Sequence, residues 1–242
     1  LNKFESSFNE EDEEFLIAIG SNAGIALENA QLFHKQQEML KEQKQVFESF
    51  IDTLATSIDA RDKITAGHSS RVRLYSGLIA RAMNLDEKMI NIVETAATLH
   101  DIGKIGIRDS VLQKDGKLTD EEYKHIQEHA EITHNILEKI HISEDFKLVT
   151  EIASTHHEKY NGMGYYRHLA GEDIPLGGRI LAVSDVFDAI TSKRHYRDKM
   201  PINNVINILI KDSSFKKNEE ITNSWNNLHN NRNNNPGYPE NH

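Results

Sequence analysis

The stretch AATLHDIGKIG, residues 96–106, joins an apolar run to side chains that can bind a metal ion. The apolar residues lead directly into the pair His100–Asp101, so we expect this pair to lie next to a hydrophobic core. Lys104 follows one helical turn after His100 and is expected to point the same way. The stretch therefore predicts a helix that presents an imidazole and a carboxylate close to the core.

Similar side chains recur at intervals of about one helical hairpin. Gaps of 27 to 32 residues separate successive candidates along the chain. Five helices of a bundle could thus direct one or two ligands each to a common centre, which is a usual way to build a metal site in a bundle. Each side chain alone could equally be solvated or satisfied within the core. The complete set is His68, His100, Asp101, His129, His156, His157 and Asp185.

The surroundings of two of these positions favour a metal ion. The segment IASTHHEKY places the histidine pair 156–157 directly after apolar residues. The segment RILAVSDVFDAI places Asp185 in an almost wholly apolar helix. A buried carboxylate that has no partner is unfavourable and requires a cation. A metal ion is the simplest explanation that covers all of these positions.

Composition limits the kind of site and partner. The chain has 242 residues with 13 histidines and no cysteine, so any metal must be held by nitrogen and oxygen atoms. Its formal net charge of −10 argues against a protein that binds nucleic acid polymers, which would present a basic face. No apolar run approaches the ~20 residues that a membrane span needs. With no signal peptide visible, we expect a cytoplasmic fragment of a longer protein.

The N-terminal part of the chain predicts a long helix. Acidic residues at 10–14 suit a first helical turn, and apolar residues follow at helical spacing. Residues 1–36 resemble the C-terminal end of a GAF domain, a module that senses small ligands. A weak heptad repeat then crosses a helical linker, residues 37–46, and favours either a parallel homodimer or one amphipathic helix that packs on its own domain. The heptad positions are Phe33, Leu40, Phe47 and Leu54.

The remainder divides into a helical region and a polar tail. From residue 51 to residue 210, helical patterns alternate with short loops and strand-type alternation is nearly absent. Residues 213–242 are rich in asparagine and cannot bury enough apolar surface to fold alone. We therefore expect an all-α bundle with a long N-terminal linker helix and a disordered C-terminal tail.

Residues 47–212 resemble the HD-GYP family, a branch of the HD metal-dependent phosphohydrolases. That family has an HD-type helical bundle and hydrolyses cyclic di-GMP, a bacterial second messenger. The segments that carry the resemblance occur in the family's order. They are DARDKITAGHSSRV, LHDIGKIGIRDSVLQKDGKLTDEEY, HAEITHNIL, HHEKYNGMGYY and GEDIPLGGRILAVSDVFDAITSKRHYR.

The resemblance implies a site for two divalent metal ions. One ion would be held by His68, His100, Asp101 and Asp185, and the other by Asp101, His129, His156 and His157, with Asp101 bridging. Imidazole and carboxylate ligands suit iron, manganese or zinc, and the family favours iron or manganese. Ile64 stands where some members carry a glutamate that helps to hold a third metal, so we expect two metals.

The implied reaction is in-line attack on phosphorus by a hydroxide that bridges the two metals. Cyclic di-GMP would be cut to the linear dinucleotide, with or without further cleavage to GMP. Asp101 and Lys104 are the predicted catalytic residues, and Lys104 would bind the phosphate or assist the leaving oxygen. A solvated helix charge is the simpler interpretation of Lys104.

The resemblance also implies contacts to the substrate. These residues are Gly164, Tyr165, Arg194 and Arg197. Tyr166 departs from the family's motif, which has proline there, so the shape of this loop is open. Two other functions stay open with it: a signalling adaptor that binds a cyclic dinucleotide without turnover, and a phosphohydrolase for another cyclic dinucleotide or nucleotide.

Overall fold

A computed structural model describes most of the chain as α-helical, with no strand in the described part. The described residues are 8–62, 67–140, 143–192 and 204–205. The α-helices are α1 (Glu10–Asp59), α2 (His68–Ala82), α3 (Glu87–Leu99), α4 (Asp109–Leu112), α5 (Asp120–Leu137), α6 (Glu144–Ser154) and α7 (Leu176–Thr191). Two short 3₁₀ helices are η1 (Ile102–Gly106) and η2 (Gly171–Asp173). The predicted all-α class is confirmed, and the tail at 213–242 lies outside the described residues.

Helix α1 begins at reciprocal hydrogen bonds. Asp12 N donates to Asn9 Oδ1 at 3.0 Å, and Asn9 N donates to the Asp12 carboxylate at 3.0 Å. The chain separates into two compact units between Phe50 and Ile51. The first unit exposes many large apolar side chains, among them Phe33, Leu40 and Phe47. The predicted GAF remnant and the borders of the linker stay predictions.

The second unit buries a core between its helices. Helix α2 packs against α3 and α7, α3 packs against α6, and α6 packs against α5 and α7. The burial of these apolar faces is the main source of stability, because it removes apolar surface from water. No helix among the described residues has the length and apolarity to cross a membrane. Fully buried core side chains include Val72, Ile79, Val93, Ala96, Ile180 and Leu181.

Side-chain caps fix where three of these helices begin. Asp86 accepts from Met89 N at 2.7 Å at the start of α3. Thr119 and Glu122 form a capping box at the start of α5, and Ser143 caps α6. Such caps satisfy backbone N–H groups that have no partner within the helix.

A buried carboxylate at the end of α1 sets the start of α2. Asp59 is 6% exposed and accepts from both Ser69 N at 3.1 Å and Ser69 Oγ at 2.8 Å. Gly67 precedes the helix with a φ of 69°, a left-handed conformation that glycine adopts without strain. His68, the first residue of α2, is thereby held in the bundle.

The turn from α3 into η1 is fastened to α5. Thr133 Oγ1 donates to the His100 carbonyl at 2.9 Å and accepts from Gly103 N at 3.0 Å. A Cβ at position 103 would lie 2.6 Å from Thr133 N and would also overlap the carbonyl oxygen of His129. Only glycine therefore lets η1 lie this close to α5.

The substitution Gly103→Ala is expected to destabilise the domain strongly. Its methyl group would meet the backbone of α5, which cannot move without disturbing the helix, so we expect a loss of about 3 kcal/mol or more in the free energy of unfolding. Gly106→Ala is the matched control, because its Cβ would meet only the end of the Ile132 side chain. Urea denaturation of both variants measures the difference, and equal stability would contradict the close packing of η1 on α5.

Candidate metal centre

The predicted ligands are brought together from five parts of the bundle. Three α-helices and the turns after α3 and α6 each contribute. His68 opens α2, His100 and Asp101 follow α3, His129 lies in α5, His156 and His157 follow α6, and Asp185 lies in α7.

These side chains form two neighbouring groups. Within each group, one ligand atom per residue lies within 4.8 Å of the others. One group is His68, His100 and Asp101, and the other is His129, His156 and His157. Asp185 joins the first group, since its Oδ1 is 3.2 Å from His68 Nε2.

Asp101 lies between the two groups and turns one oxygen towards each. Its Oδ1 is 3.6 Å from His129 Nε2. Its Oδ2 is 3.3 Å from His100 Nε2 and 3.7 Å from His68 Nε2. A carboxylate in this position can bridge two cations.

Three of the histidines are held in one tautomer by the backbone. Nδ1 of His100, His129 and His156 lies 2.7, 2.6 and 2.6 Å from a carbonyl oxygen three residues earlier. A carbonyl can only accept a hydrogen bond, so each Nδ1 carries the proton and each Nε2 presents a lone pair. A second-shell hydrogen bond of this kind is usual for histidines that bind metals.

The Nε2 atoms of these three histidines are suited to bind a cation. Nε2 of His129 and Nε2 of His156 lie 3.3 Å apart, although both are acceptors in these tautomers. Burial lowers the pKa of both histidines, which disfavours a shared proton. His100 Nε2 is buried without a hydrogen-bond partner. A metal ion would satisfy these lone pairs, so the donor set fits the predicted ions.

Lys104 reaches into this centre. Its Nζ lies 2.8 Å from Asp101 Oδ2 and 3.3 Å from Asp62 Oδ2. Burial alone would lower the pKa of Lys104, but the charges of Asp101 and Asp62 outweigh it and raise this pKa above its usual value. The ammonium group therefore stays charged at neutral pH beside the two groups of ligands.

The loop after the histidine pair is tied to the residue that follows the pair. Glu158 is 4% exposed, and its two oxygens accept from Arg167 N at 2.7 Å and Leu169 N at 3.1 Å. This places the ring of Tyr165 at 4.7 Å from the His157 ring, centroid to centroid. Burial raises the pKa of Tyr165, so its phenol remains protonated and can donate a hydrogen bond.

The backbone geometry of this loop explains two further residues, Gly164 and Tyr166. Gly164 does not have positive φ, and a Cβ there would lie 2.6 Å from Lys159 N. Its glycine is therefore explained by backbone packing rather than by the approach of a ligand. Tyr166 has a φ of 89°, which a proline ring, fixed near −65°, cannot adopt. The loop thus has a shape that the family's usual proline would not allow.

Comparison with known proteins identifies the family. A family model described as HD domain matches residues 52–216. The chain belongs to the HD domain family.

Curated relatives of this HD domain include two named phosphodiesterases. The 3'3'-cGAMP-specific phosphodiesterase 2 of Vibrio cholerae is 38% identical over 195 residues, covering 81% of this chain and 36% of that protein. The cyclic di-GMP phosphodiesterase of Thermotoga maritima is 40% identical over 166 residues, covering 69% of this chain and 45% of that protein. The chain thus spans less than half the length of these relatives.

A solved structure supports the HD-type fold. The HD domain of the L. monocytogenes phosphodiesterase PgpH aligns with a TM-score of 0.53 and 19% identity, covering 74% of this chain and 97% of that chain. The predicted resemblance to the HD family is confirmed by these findings.

Three residues that the sequence singled out lie outside the described part of the chain, and one further histidine lies outside the two groups of candidate ligands. The two substrate-contact candidates Arg194 and Arg197, and Ile64, which bears on a third metal, are outside the described residues. His125, one helical turn before His129 on α5, has both nitrogens engaged, with Nδ1 2.7 Å from Glu128 Oε2 and Nε2 accepting from Arg108 N at 3.2 Å.

Sequence analysis did not single out several residues that shape the site. Asp62 contacts Lys104, and Asp188 contacts His68. Arg71 holds Asp188, and Glu158 holds the loop that carries Tyr165. The spacing of Asp185 and Asp188, one helical turn apart in an apolar helix, could have indicated Asp188.

The two groups of ligands should respond differently to pH. Burial alone would lower the pKa of His68, but hydrogen bonds to Asp185 and Asp188 outweigh it and raise the pKa to about 10. Burial and then the charge of His129 lower the pKa of His157 to about 3. Below pH 10 a metal must displace a proton from His68, whereas the lowered pKa values of His129, His156 and His157 favour neutral imidazoles in the second group.

Metal affinity at the first group should therefore fall about tenfold for each unit of acidification, as expected for one displaced proton. Affinity at the second group should hold nearly constant from pH 8 to pH 6. Equilibrium dialysis against Mn²⁺ at both pH values, with metal analysis of the protein, measures the two affinities. Loss of both ions in parallel would contradict the assignment of the proton to His68.

Proposed function

We propose that this HD domain is a phosphodiesterase that uses two divalent metal ions to open a cyclic dinucleotide, with cyclic di-GMP as the first candidate substrate. The observation that carries the proposal is the position of Asp101, with one oxygen directed to each group of imidazoles. The names of the curated relatives support the same substrate class, since they include cyclic di-GMP and 3'3'-cGAMP phosphodiesterases.

Seven side chains would hold the two ions. The His68 group with Asp185 would hold one, the His129 group would hold the other, and Asp101 would contact both. When bound, iron or manganese ions would lower the pKa of a water molecule and polarise the phosphate oxygens. Hydrolysis adds a water molecule to phosphorus, breaks one P–O ester bond and transfers a proton to the leaving oxygen, which gives a linear dinucleotide.

The chain's own residues would orient the substrate around this centre. Lys104 carries its charge 2.8 Å from Asp101, where it can bind a phosphate oxygen or stabilise the leaving oxygen. Asp62 keeps a carboxylate beside Lys104, so the ammonium group stays in place when Asp101 contacts metal ions. Tyr165 presents a protonated phenol next to His157 and can donate to the phosphate.

The substitution Lys104→Met tests this proposal. Because it removes a charge that acts on the phosphate and keeps most of the side-chain volume, we expect kcat/KM for cyclic di-GMP to fall about 100-fold. Metal content should stay at the wild-type level. Linear product is measured by chromatography after anaerobic loading with Mn²⁺ or Fe²⁺.

Lys147→Met is the matched control, since Lys147 is exposed on α6 and pairs only with Glu144 among the contacts observed. Hydrolysis at the wild-type rate by Lys104→Met would reject the role of Lys104. Tight binding of cyclic di-GMP by metal-loaded wild-type protein without product would favour the adaptor function instead.

The Tyr166 loop favours a second candidate substrate. Its backbone at φ 89° departs from the conformation that proline permits, and the loop carries Tyr165 beside the centre. A changed loop can change which base is accepted, and one relative is specific for 3'3'-cGAMP. Side-by-side hydrolysis of cyclic di-GMP and 3'3'-cGAMP by the wild-type domain decides between them.

We also propose that the N-terminal helix pairs with a second copy of this chain. Phe33, Leu40 and Phe47 are 63%, 52% and 36% exposed and recur every seven residues along α1. Two parallel copies would bring identical stripes together, which is the pattern of a two-stranded coiled coil. A second copy is therefore the partner that matches this spacing.

The double substitution Phe33→Glu and Leu40→Glu should weaken the homodimer by roughly 100-fold or more, because it removes buried apolar surface and adds like charges at the seam. Lys41→Gln with Gln45→Glu gives the same change in net charge away from the stripe and should leave the dimer intact. Sedimentation equilibrium measures both. A wild-type chain that is monomeric at every concentration would contradict the proposal.

A further inference from the structure

His68 is oriented differently from three other histidines of the centre. His100, His129 and His156 each direct Nδ1 to a carbonyl three residues earlier in their own segment. His68 is the first residue of α2. Its Nδ1 instead lies 2.8 Å from Oδ2 of Asp188, on the distant helix α7.

Asp188 is itself held firmly. It is 1% exposed. Arg71 donates two hydrogen bonds to it, from Nε to Oδ1 at 2.7 Å and from Nη2 to Oδ2 at 3.0 Å. A fork of this kind fixes the plane of a carboxylate. Arg71 lies one turn after His68 on α2, so the three side chains form a closed link between α2 and α7.

This link determines which way His68 faces. With Nδ1 directed to Asp188, Nε2 points to Asp185 Oδ1 at 3.2 Å and to Asp101 Oδ2 at 3.7 Å. Asp185 and Asp188 are one turn apart on α7, so the same helix provides both a candidate ligand and the group that orients its neighbour.

We propose that Asp188, held by Arg71, is a positioning residue that directs His68 Nε2 to the first metal ion and thereby sets the affinity for that ion alone. The inference rests on the proposed metal centre and goes beyond it, because it separates the two ions. Two of the three histidines proposed for the second ion, His129 and His156, are oriented by backbone carbonyls, which no side-chain substitution can remove.

A charged partner also affects how strongly His68 binds. A carboxylate that accepts from Nδ1–H makes the opposite nitrogen a better metal ligand, and loss of such a partner typically costs 10- to 100-fold in metal affinity. An amide oxygen can still accept the hydrogen bond but carries no charge. Asp188→Asn therefore keeps the shape of the contact and removes its electrostatic part.

The test is a metal titration of the full chain without substrate. Equilibrium dialysis against Co²⁺, with metal analysis and the visible spectrum of the bound ion, gives the affinity at each position. We expect Asp188→Asn to weaken one of the two ions 10- to 100-fold and to leave the other within about twofold. Asp173→Asn, an exposed aspartate in η2, is the matched control and should bind both ions as the wild type does.

Arg71 provides the second pair of variants. Arg71→Met should weaken the same single ion, and Arg71→Lys should restore part of the affinity because it returns a cation to Asp188. Circular dichroism of the metal-free proteins shows whether each variant is folded. If Asp188→Asn fails to fold, the comparison of Arg71→Met with Arg71→Lys decides the question.

Equal weakening of both ions, or no weakening in a folded variant, would overturn the positioning role. Failure of the proposed function is a separate result. A wild-type protein that binds two ions but does not cleave any cyclic dinucleotide would reject the activity and leave this inference intact.

Discussion

The candidate site depends on one arrangement: imidazole nitrogens with free lone pairs lie close together around the carboxylate of Asp101. Backbone carbonyls fix the tautomers of His100, His129 and His156. The Nε2 atoms of His100 and His129 therefore face Asp101, and Nε2 of His156 faces that of His129, without protons to share. Acceptors that face one another at 3.3 Å in a buried place are unfavourable unless a cation lies among them. The bundle thus provides a preformed arrangement whose free energy falls when metal ions bind, and folding supplies the energy that holds the ligands together.

The rest of the domain places three turns at helix ends, together with the middle parts of α5 and α7, at this point. Each turn that carries ligands is fastened by a specific contact: Asp59 holds the start of α2, Thr133 holds the turn after α3, and Glu158 holds the loop after α6. A ligand at a helix end has its orientation set by the neighbouring element as well as by its own helix. A substitution that disturbs the packing at Gly103 would therefore also displace the candidate ligands in the turn after α3.

The two groups of ligands are chemically different, and this follows from where they lie in the fold. Around His68 there are two carboxylates of α7 and the guanidinium of Arg71, so this side is charged and its histidine is protonated when no metal is bound. Around His157 there are mainly neutral imidazoles, and burial keeps them neutral. Two ions bound here would experience different ligand charge and different competition from protons.

The sequence by itself determined the all-α class and the set of candidate ligands, because helical periodicity and hairpin-length spacing are local properties of the chain. The family was indicated by the resemblance of five motifs that occur in the family's order. The residues behind the ligands could not be found in this way. Asp188 contacts His68 although 120 positions separate them in the sequence. Position 164 requires glycine because the backbone of residues 157–159 lies against it. Only the packing of α7 on α2, and of the loop on its neighbours, decided which side chain orients which ligand, since such contacts depend on how whole helices approach one another.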